Sequence, residues 1–255
     1  MNYIISASTD VGIKKDTNQD SLYAKQISAG DTKMVFAILC DGMGGLKKGE
    51  VASASVIEAY KKWSVERIPV LYAQGMPDEA IRKEWCDLAT RCNESIKLYG
   101  KKSAIGLGTT VTAILLTDER YYVLNVGDSR TYEITDECRV LTRDQTVVAR
   151  EVELGRLTPE QAETDSRRSV LLQCVGASDA VYPDVFYGQA KKDAVYMLCS
   201  DGFRHVITPE EIVAYFHPSR MTNDMYMRQN EMALIELNKQ RREQDNISVI
   251  TIRTF

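Results

Sequence analysis

Histidine is nearly missing from this chain: His205 and His217 are the two in 255 residues. The six cysteines (40, 86, 92, 138, 174 and 199) include no C-x-x-C pair. The spacings that hold zinc are therefore absent, and neither histidine stands beside a serine or cysteine as a nucleophilic dyad requires. The cysteines are expected to be reduced and buried, with Cys40 and Cys199 acting as small hydrophobes inside apolar strands. No apolar run approaches the roughly 20 residues that cross a bilayer. No basic stretch followed by a short apolar one opens the chain as a leader would, so a cytoplasmic location and no membrane partner are expected. Basic residues are scattered around a net charge of −4, with isolated pairs such as Lys61-Lys62 and Arg241-Arg242. A nucleic-acid footprint is excluded on that ground. Neither a linker, an internal repeat nor a low-complexity tract divides the sequence, which reads as a single domain over residues 1–255.

What the chain has is an apolar run that ends on a carboxylate. Met34-Val35-Phe36-Ala37-Ile38-Leu39-Cys40 leads into Asp41-Gly42-Met43-Gly44-Gly45. Such a run is too short for a surface helix and reads as a buried strand with Asp41 at its exit. The glycines leave room for an ion or phosphate to approach the main chain. One Asp-Gly turn would mean little, but the punctuation recurs. Tyr121–Val126 runs into Gly127-Asp128, and Val195–Cys199 into Ser200-Asp201-Gly202. Asp20 and Asp245 instead precede apolar runs, Ser21–Ala24 and Ile247–Ile252. In antiparallel pairing, the end of one strand and the start of the next share a rim. Five carboxylates gathered there repel one another unless a cation lies between them. An all-oxygen donor set suits magnesium or manganese.

The remaining chain supplies layers. Apolar residues at Ala52, Val56, Ala59, Tyr60 and Trp63 predict a helix from Gly49 to Arg67. A second helix is predicted from Asp78 to Tyr99, with Pro77 near its start and Gly100 just past its end. Gly106-Leu107-Gly108-Thr109-Thr110 opens a strand rather than a helix, so the phosphate-cradle templates do not apply. Residues 144–173 change character to short polar helices, with Thr158-Pro159-Glu160-Gln161 as a capping box, and are a candidate flap over the rim. Strands resume at Val170–Leu172, Val185–Tyr187 and Val195–Leu198. Thr208-Pro209-Glu210-Glu211 starts another helix to Phe216, and Asn223 to Lys239 a further one. Strands grouped with helical pairs between them predict an α+β fold of sheet packed on sheet with helices outside.

Taken together, these motifs resemble the PPM (PP2C-type) metal-dependent serine/threonine protein phosphatases, in their short bacterial form. The resemblance rests on Gly12-x-x-Lys15-x-x-Asn18-Gln19-Asp20, on Asp41-Gly42-Met43-Gly44-Gly45 followed by Gly49-Glu50-Val51-Ala52-Ser53, and on Gly108-Thr109-Thr110. It continues through Val126-Gly127-Asp128-Ser129-Arg130, Leu198-Cys199-Ser200-Asp201-Gly202 and Asp245-Asn246-Ile247-Ser248-Val249. Leu154–Ala162 looks like the family's flap, which places that segment at about 144–175. The likeness implies a four-layer α-β-β-α sandwich of two antiparallel sheets flanked by helices. It implies two Mn2+ or Mg2+ ions at the rim and a possible third, with attack on phosphorus by water held between the ions. Asp41 would bridge them, Asp201 and Asp245 would hold the first, and Asp20 with the Gly42 carbonyl the second. Asp128, with Asp201, corresponds to the third-ion site. The substrates implied are phosphoserine and phosphothreonine proteins, opposite a cognate kinase, and nothing in the sequence demands more than a monomer.

Three positions depart from that pattern. Lys15 stands where the family has an arginine for the substrate phosphate, and an ammonium lacks the two-pronged guanidinium fork. Leu46 stands where bacterial members have a histidine, and Gln145 replaces another histidine after Asp144. These changes keep two alternatives open: a catalytically weakened phosphoprotein-binding module, and a phosphatase for a small phosphorylated molecule.

Overall fold

The computed structural model describes residues 1–43 and 48–255. Gly44, Gly45 and Leu46, singled out above, lie outside the described residues. In chain order the strands are β1 (Tyr3–Asp10), β2 (Ser21–Ala29) and β3 (Thr32–Cys40), followed by the helices α1 (Gly49–Ala73) and α2 (Asp78–Ser103). Next come β4 (Val111–Leu116), β5 (Arg120–Val126), β6 (Arg130–Ile134) and β7 (Cys138–Val140), then α3 (Val147–Glu153) and α4 (Pro159–Thr164). The last part holds β8 (Asp184–Gln189), β9 (Val195–Cys199), α5 (Asp201–Arg204), α6 (Pro209–Phe216), α7 (Asp224–Gln240) and β10 (Ile247–Thr254).

Two antiparallel sheets form the centre. The first has the order β2-β3-β4-β5-β8 and the second β1-β10-β9-β6-β7. Helices α1 and α2 cover the first sheet, and α5, α6 and α7 the second, giving the four-layer α-β-β-α sandwich. The apolar run of β3 shows why it needed no polar face. Met34, Phe36, Ile38 and Cys40 point into the core beneath α1 and α2, while Val35, Ala37 and Leu39 point into the core between the sheets. A strand buried on both faces reads as continuous rather than alternating.

Several boundaries differ from the sequence pattern. Helix α1 continues through Pro69 to Ala73. A helix-interior proline costs about 3 kcal/mol, but Ile68 and Leu71 are fully buried beyond the expected end, and burying such side chains returns about 1.5–3 kcal/mol each. Helix α2 likewise passes Gly100, and the left-handed position that closes it falls to Ala104 (φ 53°). Val170–Leu172 is no strand: the segment makes a single bridge, Thr146↔Leu171, and exposes both Val170 and Leu172. Both capping boxes form as read, Thr158 with Gln161 and Thr208 with Glu211. The six cysteines are free; Cys86 and Cys138 are half-buried and the other four buried. No helix among the described residues is long and apolar enough to cross a membrane.

Candidate functional site

The five aspartates meet at one rim, and the two sheets share it. Asp20 and Asp41 flank the first sheet's register pair Ser21↔Cys40. Asp201 and Asp245 flank the paired ends of β9 and β10 in the second sheet, set by Val249↔Cys199. Asp128 lies on the β5–β6 connection, where the chain crosses from the first sheet to the second. Antiparallel pairing within each sheet thus accounts for two aspartates, and the packing of sheet on sheet brings the pairs together.

Electrostatics record how close they are. Burial holds the Asp41 carboxyl well above the usual range, and Asp20, Asp201, Asp128 and Asp245 push it further. Burial with Asp201 and Asp245 raises Asp20 to about 7, against the lowering influence of the Ser248 and Ser200 hydroxyls. Burial and Asp201 do the same to Asp128, also to about 7, against the opposing charge of Arg204. Among the described residues no donor meets either carboxylate oxygen of Asp20 or Oδ1 of Asp201 in hydrogen-bonding geometry, all three of them buried. Among the described residues no three acidic, histidine or cysteine side chains already close into a metal-ligating group, which is how like charges carried on separate strands arrange themselves. Orphaned, all-oxygen and mutually repelling, these atoms fit a hard divalent cation.

The main chain around them is tightly held. Asp41 N donates to Thr110 Oγ1 at 3.0 Å, and Thr110 N returns a bond to the Asp41 carbonyl at 2.9 Å. Met43 N donates to the Gly108 carbonyl at 3.0 Å, so the Gly108-Thr109-Thr110 motif fixes the loop that carries Asp41 and Gly42. On the opposite side, Asn246 Nδ2 donates to the carbonyls of Val11 and Thr17, and its Oδ1 accepts from Gln19 N. Gly12 has φ +79°, and a Cβ there would collide with the Asp245 carbonyl. That close approach brings Lys15 to the rim, where its Nζ lies 3.0 Å from Asp245 Oδ1.

A profile of the family described as Protein phosphatase 2C matches residues 13–235. The chain belongs to the protein phosphatase 2C family. It is 31% identical over 246 residues to the serine/threonine protein phosphatase PstP of Mycobacterium tuberculosis, covering 96% of this chain and 44% of PstP. The chain therefore spans less than half the length of that relative. It is 29% identical over 251 residues to the protein phosphatase PhpP of Streptococcus pneumoniae, covering 97% of this chain and 96% of PhpP. A solved PstP catalytic domain in complex with 2 manganese ions superposes with a TM-score of 0.77 at 28% identity, covering 98% of this chain and 97% of that one.

Around the rim of this protein phosphatase 2C chain stand residues to which the sequence assigned no role there. His205 Nε2 lies 3.4 Å from Asp201 Oδ2, and its Nδ1 lies 3.5 Å from Glu243 Oε2. Burial works against the charged imidazole, yet Glu243 and Asp201 outweigh it and raise its pKa. Glu243 Oε1 accepts from the main-chain nitrogens of Gln244 and Asp245 at 2.7 and 2.9 Å, and so orients the turn into β10. Arg204 Nη2 donates to the Asp128 carbonyl at 2.9 Å and to Asp144 Oδ2 at 3.2 Å. Arg130 forks onto the same Asp144 carboxylate at 2.7 and 2.8 Å. The positions of His205 and Arg204, four and three residues after Asp201, were the only local signal. His217 does meet a serine: Ser219 Oγ lies 2.7 Å from its Nδ1 and Asp136 Oδ1 3.2 Å from its Nε2. This is the turn that closes α6, with Asp136 almost wholly exposed. The same Nδ1 also accepts the Ser219 N–H, so it is committed to the turn.

Proposed function

We propose that this chain is a divalent-metal-dependent phosphatase acting on phosphoserine and phosphothreonine in proteins. The observation that carries the reading is the set of three buried carboxylate oxygens, two on Asp20 and one on Asp201, that no donor among the described residues satisfies. Buried ionised oxygens without partners are costly, and a cation is the partner their chemistry selects. Asp41, Asp201 and Asp245 would hold one Mn2+ or Mg2+ ion, with Asp41, Asp20 and the Gly42 carbonyl at a second and Asp128 with Asp201 at a third. When bound, such ions supply charge for the phosphoryl oxygens and activate a water.

The protein's own groups frame the substrate. The Lys15 ammonium, at the mouth beside Asp245, would bind a phosphate oxygen by charge alone. The hydroxyl of Thr110 bonds both the Asp41 amide and Ser129 Oγ, the latter at 2.8 Å, and so keeps Asp41 aligned with the loop of Asp128. Residues 1–255 act as one phosphatase domain, with 144–175 as its flap. The names borne by PstP and PhpP support phosphoprotein substrates. A cognate kinase, a monomeric state and a cytoplasmic location complete the proposal.

The ion pair of Lys15 with Asp245 favours one second reading, a weakened module that binds phosphoproteins and turns them over poorly. Hydrolysis of a phosphothreonine peptide with Mn2+, compared among wild type, Asp41→Asn and an EDTA control, separates the two. Turnover that needs both Mn2+ and Asp41 supports the phosphatase; Mn2+ and peptide binding without turnover supports the module.

A further inference from the structure

Gln145 stands where the loop of Asp128 meets the root of the flap, and its amide bonds both. Its Oε1 accepts the Gly127 N–H at 2.9 Å and Gln173 Nε2 at 2.8 Å. Its Nε2 donates to Asp184 Oδ2 at 2.9 Å. The main chain repeats the link: Gln145 N donates to the Gly127 carbonyl at 3.0 Å, and Leu172 N donates to the Gln145 carbonyl at 2.8 Å. The residue is 7% exposed.

Each end of this bridge is tied to further groups. Gly127 has φ +103°, and a Cβ there would lie 2.7 Å from Thr110 Cγ2, the side chain that also holds Asp41. Asp128 follows directly. At the other end Gln173 exchanges two bonds with Tyr182, at 2.7 and 2.8 Å. Val147 N bonds the Val170 carbonyl at 2.9 Å, closing the base of the segment that carries α3 and α4. Only a carboxamide fits the three partners. An imidazole offers one acceptor and one donor and leaves either Gly127 or Gln173 unmet. A carboxylate accepts from both but faces the Asp184 carboxylate.

We propose that Gln145 is a positioning residue that couples the flap to Asp128, so that cation binding at the rim and closure of residues 146–173 occur together. The inference rests on the reading of Asp128 as part of the cation-binding set. Gly127 cannot shift without moving Asp128, and Gln145 passes that shift to Gln173 through a shared acceptor. A ligand that fixes one end then orders the other, which is a coupling free energy between two sites.

Hydrogen exchange over 146–173 in the full chain, with EDTA or saturating Mn2+, tests the coupling, and calorimetry of Mn2+ reports binding separately. In wild type, Mn2+ should slow exchange there about 5-fold or more, the lower end of coupling between sites. In Gln145→Leu, Mn2+ should still bind while that protection disappears. Gln145→Glu alone should also lose it, through repulsion by Asp184. Gln145→Glu combined with Asp184→Asn should restore it, because the new amide donates to the new carboxylate. Equal Mn2+ protection in wild type and Gln145→Leu overturns the proposal. So does a folded double variant without protection, which keeps the test decisive if Gln145→Leu fails to fold. Mn2+ binding to wild type without flap protection overturns the coupling alone. Absence of Mn2+ binding to wild type overturns the cation reading and the coupling with it.

Discussion

Lys15 and Asp245 face each other at the rim, with Nζ and Oδ1 3.0 Å apart. Side chains 29% and 39% exposed share this bond, so water screens it and it is worth little as stability. Under the proposed function its importance is competitive: a substrate phosphate would have to draw Lys15 away from Asp245. Lys15→Ala should raise KM for a phosphopeptide by about tenfold, the effect of roughly 1.4 kcal/mol of lost binding, and change kcat less. Lys15→Arg should lower KM, since a guanidinium can serve Asp245 and the phosphate together. Steady-state kinetics at fixed Mn2+ reads both.

Asp41→Asn should affect stability and activity in opposite directions. Asp41 feels four other aspartates besides its burial, so neutralising it relieves repulsion and should raise Tm in EDTA. The same change should remove the Mn2+-induced rise in Tm and lower turnover by at least about 10²-fold, as loss of a charge-stabilising group does. Thermal denaturation with and without Mn2+, beside peptide hydrolysis, checks the pair of signs.

Away from the rim, Glu231 is fully buried and accepts bonds from Ser6 at 2.8 Å, Ser8 at 2.7 Å and Thr251 at 2.6 Å. Burial raises its pKa in spite of these hydroxyls. A carboxyl whose pKa is higher folded than unfolded binds more protons in the native state. Its contribution is therefore complete below the unfolded value and is lost as pH rises through the folded one. Glu231→Gln keeps the shape without the ionisation. Its stability relative to wild type should improve as pH rises above about 4.3, by no more than about 1.4 kcal/mol per pH unit, in urea denaturation across that range.

Asp144 is the joint of a largely buried charge network, receiving both Arg130 and Arg204. Burial opposes its ionisation, but the two guanidinium groups prevail and hold its pKa low. Asp144→Asn leaves two largely buried cations under-compensated. A loss of about 3–5 kcal/mol is expected, read as a lower urea midpoint with an unchanged slope.

Much of this architecture could be read locally. The run from Met34 to Cys40 announced a strand buried on both faces, and Thr158 and Thr208 announced helix starts by capping boxes that the structure contains. The five aspartates were legible because each punctuates a strand, a property of neighbouring residues. Their division between two sheets was not, because the order β1-β10-β9-β6-β7 depends on pairings far apart in the chain. The helix ends were read short for a different reason: α1 runs on through Pro69 as Ile68 and Leu71 are buried, while α2 passes Gly100 into exposed residues and turns only at Ala104. Glu243 and His205 carry no pattern of their own, and their role is visible only once the turn into β10 lies against α5. Gln145 was noticeable as a departure, but its meaning waited on Gly127, Gln173 and Asp184 arriving around it.

Two aspartates from each sheet, with Asp128 on the crossing strand connection, give the sandwich a mechanical property. Between the sheets lies mainly apolar contact, which resists separation but resists sliding less, being non-directional. A cation gripped by carboxylates from opposite sheets would act as a rivet through the rim, so that shearing the sheets and releasing the ion become the same motion. Pulled along its strands, the loaded protein should yield in one abrupt step where the stripped protein creeps.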